Sequence, residues 1–249
     1  MKIFKIGFTG FLSLLIFAVF AFSASANPVS DETSATKNVD GDQYFQDPIT
    51  GKTITTVYKT TPDGGLEKVD FEEFVKIRQQ DQEIKDKIAK SQDELTPLSR
   101  YIIPTGVLVT IKYTKQLDSE VTGSAYRVTD PYNCPSNAPN PCTSNATYSA
   151  TESESFSANV ANGDILKQIK LQCSYTWSSS ASVSNTYSLS ITQGKTGYLM
   201  FIPHKIYTQG KQDTYADFSL VKSETVWGYT PKTLTGSGIL DGYVYGVIE

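Results

Sequence analysis

The chain has one histidine, three cysteines and two tryptophans in 249 residues, and each scarcity closes off chemistry. The lone imidazole, His204, follows Pro203 in an apolar run and reads as a buried or edge side chain rather than a catalytic one. No Gly-x-Ser-x-Gly elbow is present, and in a chain this rich in serine a hydroxyl near His204 carries no weight. Glu152 and Glu154 lie two apart, roughly 7 Å along a strand, whereas glycosidases draw their carboxylates from separate elements. No phosphate-cradling loop and no His/Cys spacing for zinc occurs. A cluster at Asn38, Asp40, Gly41 and Asp42 superficially suggests calcium, but an EF-hand reading would put Thr36 first and Asp47 rather than Glu last. The expectation is a non-catalytic protein without cofactor or metal.

Positive charge is short as well. The formal net charge is -4, which argues against nucleic acid, whose binders present a basic face. Long apolar runs are limited to one, Phe11 to Phe22, preceded by Lys2 and Lys5 and followed by Ala24-Ser25-Ala26. That order is the order of a secretory signal, with cleavage expected between Ala26 and Asn27. Residues 1–26 are therefore read as a signal peptide and the mature protein as secreted and extracellular, where disulfides persist. Cys134 and Cys142 bracket a Pro/Asn loop and are the natural pair, although three cysteines allow three single pairings. Cys173 is then left over as a small buried hydrophobe.

Two regions differ in charge. Residues 27–100 carry 15 acidic and 10 basic side chains, residues 101–249 carry 11 and 10. The acidic segment starts polar, then shows a β-hairpin, Thr53 to Thr60 and Leu66 to Val69 around Pro62-Asp63-Gly64-Gly65. Asp70 and Glu73 then open a helix that carries Phe74, Ile77, Ile84 and Ile88 toward a stop at Pro97. A boundary is placed near Pro97 to Pro104. Beyond it the chain is mainly β: strands near Val107 to Thr114, Ala125 to Thr129, Thr196 to Tyr207 and Tyr243 to Ile248, with turns at Trp227-Gly228-Tyr229 and Gly236-Ser237-Gly238. The fold expected is an antiparallel sandwich or elongated sheet with long Ser/Thr-alternating strands, preceded by the small hairpin and helix.

The most specific stretch runs from Ile169 to Thr192. Odd positions are mostly apolar, every even position is polar, and the phase never slips. A single strand that long would span about 75 Å at ~3.3 Å per residue, so a bend or a parity-keeping turn is expected, with Ser179 and Asn185 as candidate breaks. Upstream, Thr147, Ser149, Thr151, Ser153, Ser155 and Ser157 form a second hydroxyl row, and Asn162-Gly163-Asp164 supplies a turn between the two. An antiparallel pair of hydroxyl-faced strands follows.

Such strands in a secreted chain resemble the elongated β-domain of aerolysin-like pore-forming toxins of the epsilon-toxin type. The resemblance covers roughly 145–207 and is one of pattern. The chain is also similar to small secreted proteins of Gram-positive bacteria of unassigned function through Ala125-Tyr126-Arg127-Val128-Thr129-Asp130, Gly194-Lys195-Thr196-Gly197-Tyr198 and Trp227-Gly228-Tyr229-Thr230-Pro231. The toxin resemblance implies a membrane-inserting hairpin and, for a pore, a homo-oligomer. Glu152 and Glu154 fall in the would-be lipid phase, where charge is costly. The candidate inserting hairpin is therefore Phe156, Ala158, Val160, Ile165, Leu166 and Ile169. Two functions are carried forward: a non-catalytic β-protein binding an extracellular surface, protein or membrane partner, and a membrane-active toxin or bacteriocin-like factor.

Overall fold

A computed structural model describes residues 37–39, 42–47, 50–93, 106–158, 160 and 163–249. The signal segment, the Ala26–Asn27 cleavage point and the boundary near Pro97 lie outside the described residues, as do Asp40 and Gly41 of the acidic cluster.

Among the described residues the fold is mainly β and antiparallel, with two helices. Strands β1 (Lys37–Val39) and β2 (Asp42–Gln46) precede β3 (Thr53–Thr60) and β4 (Leu66–Val69), the expected hairpin. Helix α1 (Phe71–Asp93) follows, started by Asp70, whose carboxylate accepts the Glu72 N–H at 2.8 Å. That bond satisfies one of the open donors of the first helical turn. Next come β5 (Val109–Thr122), β6 (Tyr126–Arg127), β7 (Tyr132–Asn133), β8 (Cys142–Ser153), β9 (Ser155–Phe156) and helix α2 (Gly163–Gln172). The chain ends with β10 (Ser180–Ile191), β11 (Thr196–Ala216), β12 (Ser219–Pro231) and β13 (Gly242–Ile248).

Strand β11 organises the molecule. Its first third pairs with β13 and the short β6 and β7, and its remainder pairs with β5 on one side and β12 on the other. The first part lies in a buried sheet extended by β3 and β2, and so is apolar in both phases. The second part forms a three-stranded finger. At Gly210 the register with β5 shifts, and a side chain there would strike the Thr114 carbonyl and the Tyr113 ring.

Two layers sandwich the buried sheet. On one face α1 inserts Phe74 among Phe45, Ile54, Val57, Tyr243 and Tyr245. On the other, β8 and β10 form a separate two-stranded ribbon that buries Tyr148, Ala150, Val183, Tyr187, Leu189 and Ile191 against Leu199, Phe201 and Val244. The segment set apart by its acidity is, in its described residues, part of this same core, because β3 is a hydrogen-bonded neighbour of β13.

Three sequence expectations change. Alternation over Ile169–Thr192 resolves into the last turn of α2, an irregular stretch, and β10. Ile165 and Ile169 are one helical turn apart as well as in one strand phase, and both are fully buried with Tyr113 and Val226. The 3.6 period won there because that pair fits under the finger. Trp227-Gly228-Tyr229, read as a turn, sits inside β12. Asn185 is no bend: it lies within β10 and donates its amide to the Gly64 carbonyl at 2.7 Å.

Candidate functional site

Most exposed large apolar side chains gather at the far end of the finger. Strands β11 and β12 are joined by a two-residue turn, Asp217-Phe218, between the paired residues Ala216 and Ser219. Both turn residues have positive φ, 46° and 69°, as a twist-matched two-residue hairpin requires. The Asp217 N–H donates to the Leu108 carbonyl, and the Asp217 carboxylate accepts the Leu108 N–H at 3.2 Å, so the start of β5 is tied to the turn. Asp217 thereby turns its charge back toward the backbone. Around it Phe218 is 88% exposed, Leu108 59% and Leu220 56%, with Val109 beside them.

The position of Phe218 is costly for its own strand turn. Asparagine or glycine is the usual occupant of that left-handed site, and a bulky residue there is a genuine outlier. Burial gives nothing back, since the ring is in solvent. Behind the apex the first charged residues of the strands are Lys112 and Asp213, which face each other, Lys211, and the ion pair Lys222–Glu224 at 2.7 Å. Lys112 and Lys211 are exposed and make no ion pair among the described residues.

The ribbon presents the second surface. Thr143, Asn145, Thr147, Ser149, Thr151 and Ser153 on β8 stand opposite Ser190, Ser188, Thr186, Ser184, Ser182 and Ser180 on β10. This uncharged hydroxyl face points to solvent while the apolar face is core, as the alternation predicted. Glu152 and Glu154 are on the inner side but paired, Glu152 with Lys205 at 2.7 Å and Glu154 with Lys170 at 2.9 Å. Burial pushes the Glu154 carboxyl up, but hydrogen bonds from Lys170, Trp177 and Ser179 outweigh it and hold it below its ordinary value.

The six residues of the candidate inserting hairpin do not form a hairpin in this structure. Phe156 ends β9 and stacks on Trp177, Ala158 is exposed, and Val160 packs beside α2. Ile165, Leu166 and Ile169 belong to α2, which starts at Gly163, where a turn was expected. Cys134 and Cys142 are joined, with Cα atoms 5.6 Å apart. Cys173 follows α2 as a free, half-buried thiol, pushed up by burial, and is not part of a strand. Closure of so short a loop limits the unfolded chain. We expect Cys134→Ser/Cys142→Ser to lower stability by about 2–3 kcal/mol, measured by urea unfolding.

His204 lines a cleft of about 250 Å³ with Lys59, Asp81, Glu120 and Lys232. Its Nδ1 lies 2.9 Å from the buried Asp241 carboxylate, and its ring packs edge-on to Tyr243. The His204 ring thus serves Asp241. No group of three or more His, Cys, Asp or Glu side chains that could hold a metal occurs among the described residues.

Sequence reading missed the apex. Its strand reading stopped at Tyr207, whereas β11 runs on to Ala216. The available signal was Asp217-Phe218 between two alternating runs, but Phe is not a turn residue, so no hairpin was drawn there.

Residues 110–233 match the model of a family of unknown function, DUF6060. That match spans β5 to the end of β12, and so contains the finger, the ribbon and α2. No curated protein matches. Among solved structures the chain is similar to the parasporin-2 toxin of Bacillus thuringiensis, described as recognising cancer cells, at 11% identity, covering 57% of this chain and 70% of that one, with a TM-score of 0.19.

Proposed function

We propose that this is an exported, non-catalytic protein that binds membrane surfaces through the apex formed by Leu108, Val109, Phe218 and Leu220. The observation that carries this reading is Phe218: a large aromatic side chain, almost fully exposed, at a left-handed turn position that favours glycine. Folding disfavours the ring on both counts, so a use outside the fold is the economical account. The apex is a two-residue turn at the end of the finger, which suits entry into a deformable apolar phase. A phenyl ring and two leucines entering the acyl boundary each gain about 1.5–3 kcal/mol, and Lys112 and Lys211 behind them add attraction to anionic headgroups. The disulfide supports an extracellular setting.

Phe218→Gly tests it without risking the fold. Asp-Gly is a favoured pair for this turn, so the variant is expected to be more stable by about 0.5–1 kcal/mol. Its partition onto phosphatidylcholine/phosphatidylserine vesicles should fall by roughly tenfold to a hundredfold. Co-sedimentation unchanged in Phe218→Gly and in Leu220→Asp would sink the reading.

A second reading, a ribbon that lengthens into a membrane hairpin, is favoured by the register. Strands β8 and β10 pair so that partner numbers sum to 333, from Cys142–Ile191 to Ser153–Ser180. The same sum continues through the Glu154 N–H to Ser179 carbonyl bond and the stacked Phe156–Trp177 pair. Carried further, it would set Ser157 against Thr176 on the hydroxyl face, and Ala158 against Tyr175 and Val160 against Cys173 on the apolar face. That is the alternation a transmembrane strand pair needs. Dye release from vesicles should accompany binding if this conversion occurs; binding without release, at any lipid composition and after limited proteolysis, would leave docking alone.

A further inference from the structure

We infer that α2 guards an open sheet edge, and that the partner it excludes is the β12 edge of a second copy of this chain. Among the described residues strand β5 pairs with β11 on one side only. On its other side two glutamines of α2, one helical turn apart, occupy the backbone. The Gln168 amide accepts the Tyr113 N–H at 2.9 Å and donates to the Ile111 carbonyl at 3.1 Å. The Gln172 amide accepts the Lys115 N–H at 3.2 Å and donates to the Tyr113 carbonyl at 2.7 Å. Each side chain thus offers one acceptor and one donor, as a residue of a neighbouring strand would. The outward groups of Ile111, Tyr113 and Lys115 are spaced for a strand and filled by a helix.

The guard is weakly held. Helix α2 has ten residues, of which Ile165 and Ile169 are buried, while Leu171 is 83% exposed. A helix this short has little stability of its own, so its attachment rests on those two side chains, the four amide bonds and the Lys170–Glu154 ion pair. Removing it would present an unpaired edge, the feature that most readily recruits another strand.

The recruit is identified by the opposite border of the same finger. There β12 pairs with β9 only at Gly228 and Tyr229, and from Ser219 to Glu224 its outer edge pairs with no strand among the described residues. One finger therefore carries a guarded edge on β5 and an open edge on β12. Joining β5 of one copy to β12 of the next is a head-to-tail contact that repeats, closing into a ring if the rotation allows. The inference is independent of lipid docking by the apex.

Gln168→Ala/Gln172→Ala removes the four bonds. In the absence of lipid, light scattering after size exclusion should show assemblies larger than a dimer where the parent protein runs as one chain, and at a dilution where the variant itself runs as one chain hydrogen exchange at the Tyr113 and Lys115 amides should rise by roughly tenfold or more. Adding Ser223→Pro, which removes an outward N–H from β12, should return the variant to one chain, because proline is tolerated at an edge but cannot donate. Unchanged exchange at both amides in a variant that runs as one chain would overturn the guard. Fast exchange with a chain that stays single would overturn the second copy, and assemblies that stop at two or ignore Ser223→Pro would overturn the choice of β12. Should the double variant lose its fold, Gln172→Ala, altering an exposed side chain, carries the same readouts at Lys115.

Discussion

Arg78→Ala is expected to lower stability by about 3–5 kcal/mol, enough to leave much of the protein unfolded at 37 °C. Arg78 on α1 places Nη1 2.6 Å from the Asp47 carboxylate; Asp47 is almost completely buried and Arg78 partly so. The Thr50 hydroxyl donates to the same carboxylate at 2.6 Å. Removing the guanidinium takes this counter-charge from a desolvated carboxylate, the costly case for a buried pair. The guanidinium also lies over the Phe74 ring, which anchors α1 in the core. Urea unfolding of Arg78→Ala, with Asp47→Asn in the same background, is the measurement. The double variant should recover part of the loss, since it removes the charge that Arg78 balanced; a single variant within 1 kcal/mol of the parent would show that α1 is held by its apolar face alone.

His204→Ala is expected to lower stability by about 1–3 kcal/mol, the cost of a buried acceptor that loses its donor, and the loss should depend on pH. Burial pushes the Asp241 carboxyl up, but the His204 hydrogen bond and the charges of His204, Lys59 and Lys232 outweigh it and hold it below the ordinary carboxylate value. Asp241 Oδ1 has no hydrogen-bond partner, so the group depends on His204 through its other oxygen, with Lys232 at 3.6 Å. A carboxyl depressed on folding contributes stability that is fully present above its unfolded value, about 3.9, and is lost as pH falls through the folded value. The difference between parent and His204→Ala should therefore shrink as pH falls below about 4. Thermal unfolding across pH 3 to 7 tests this. A constant difference over that range would mean that the His204 ring acts by packing on Tyr243 rather than through Asp241.

These two effects show where the sequence was readable and where it was not. The hairpin β3–β4, the capped helix α1, the loop-closing disulfide and the hydroxyl-faced pair β8–β10 are each written in residues close in sequence or in one strict period. The contacts that decide stability are not: Arg78 meets Asp47 across 31 residues, and His204 meets Asp241 across 37. Nothing local distinguishes those charges from solvated ones.

The segment Ile169–Thr192 shows the limit most clearly. Its alternation of hydroxyl and apolar residues was determined by the sequence alone, and so was the prediction that one face would be core and the other exposed. Which part of it is strand was decided by the tertiary structure. Ile165 and Ile169 satisfy both a period of two and a helical turn, and packing against Tyr113 and Val226 under the finger selected the helix. The apex depended on tertiary structure too. An exposed phenylalanine in a turn has no sequence signature, because exposure follows from where β11 and β12 end relative to the rest of the fold. Short-range patterns determine an element's face; long-range packing determines whether that face meets protein or solvent.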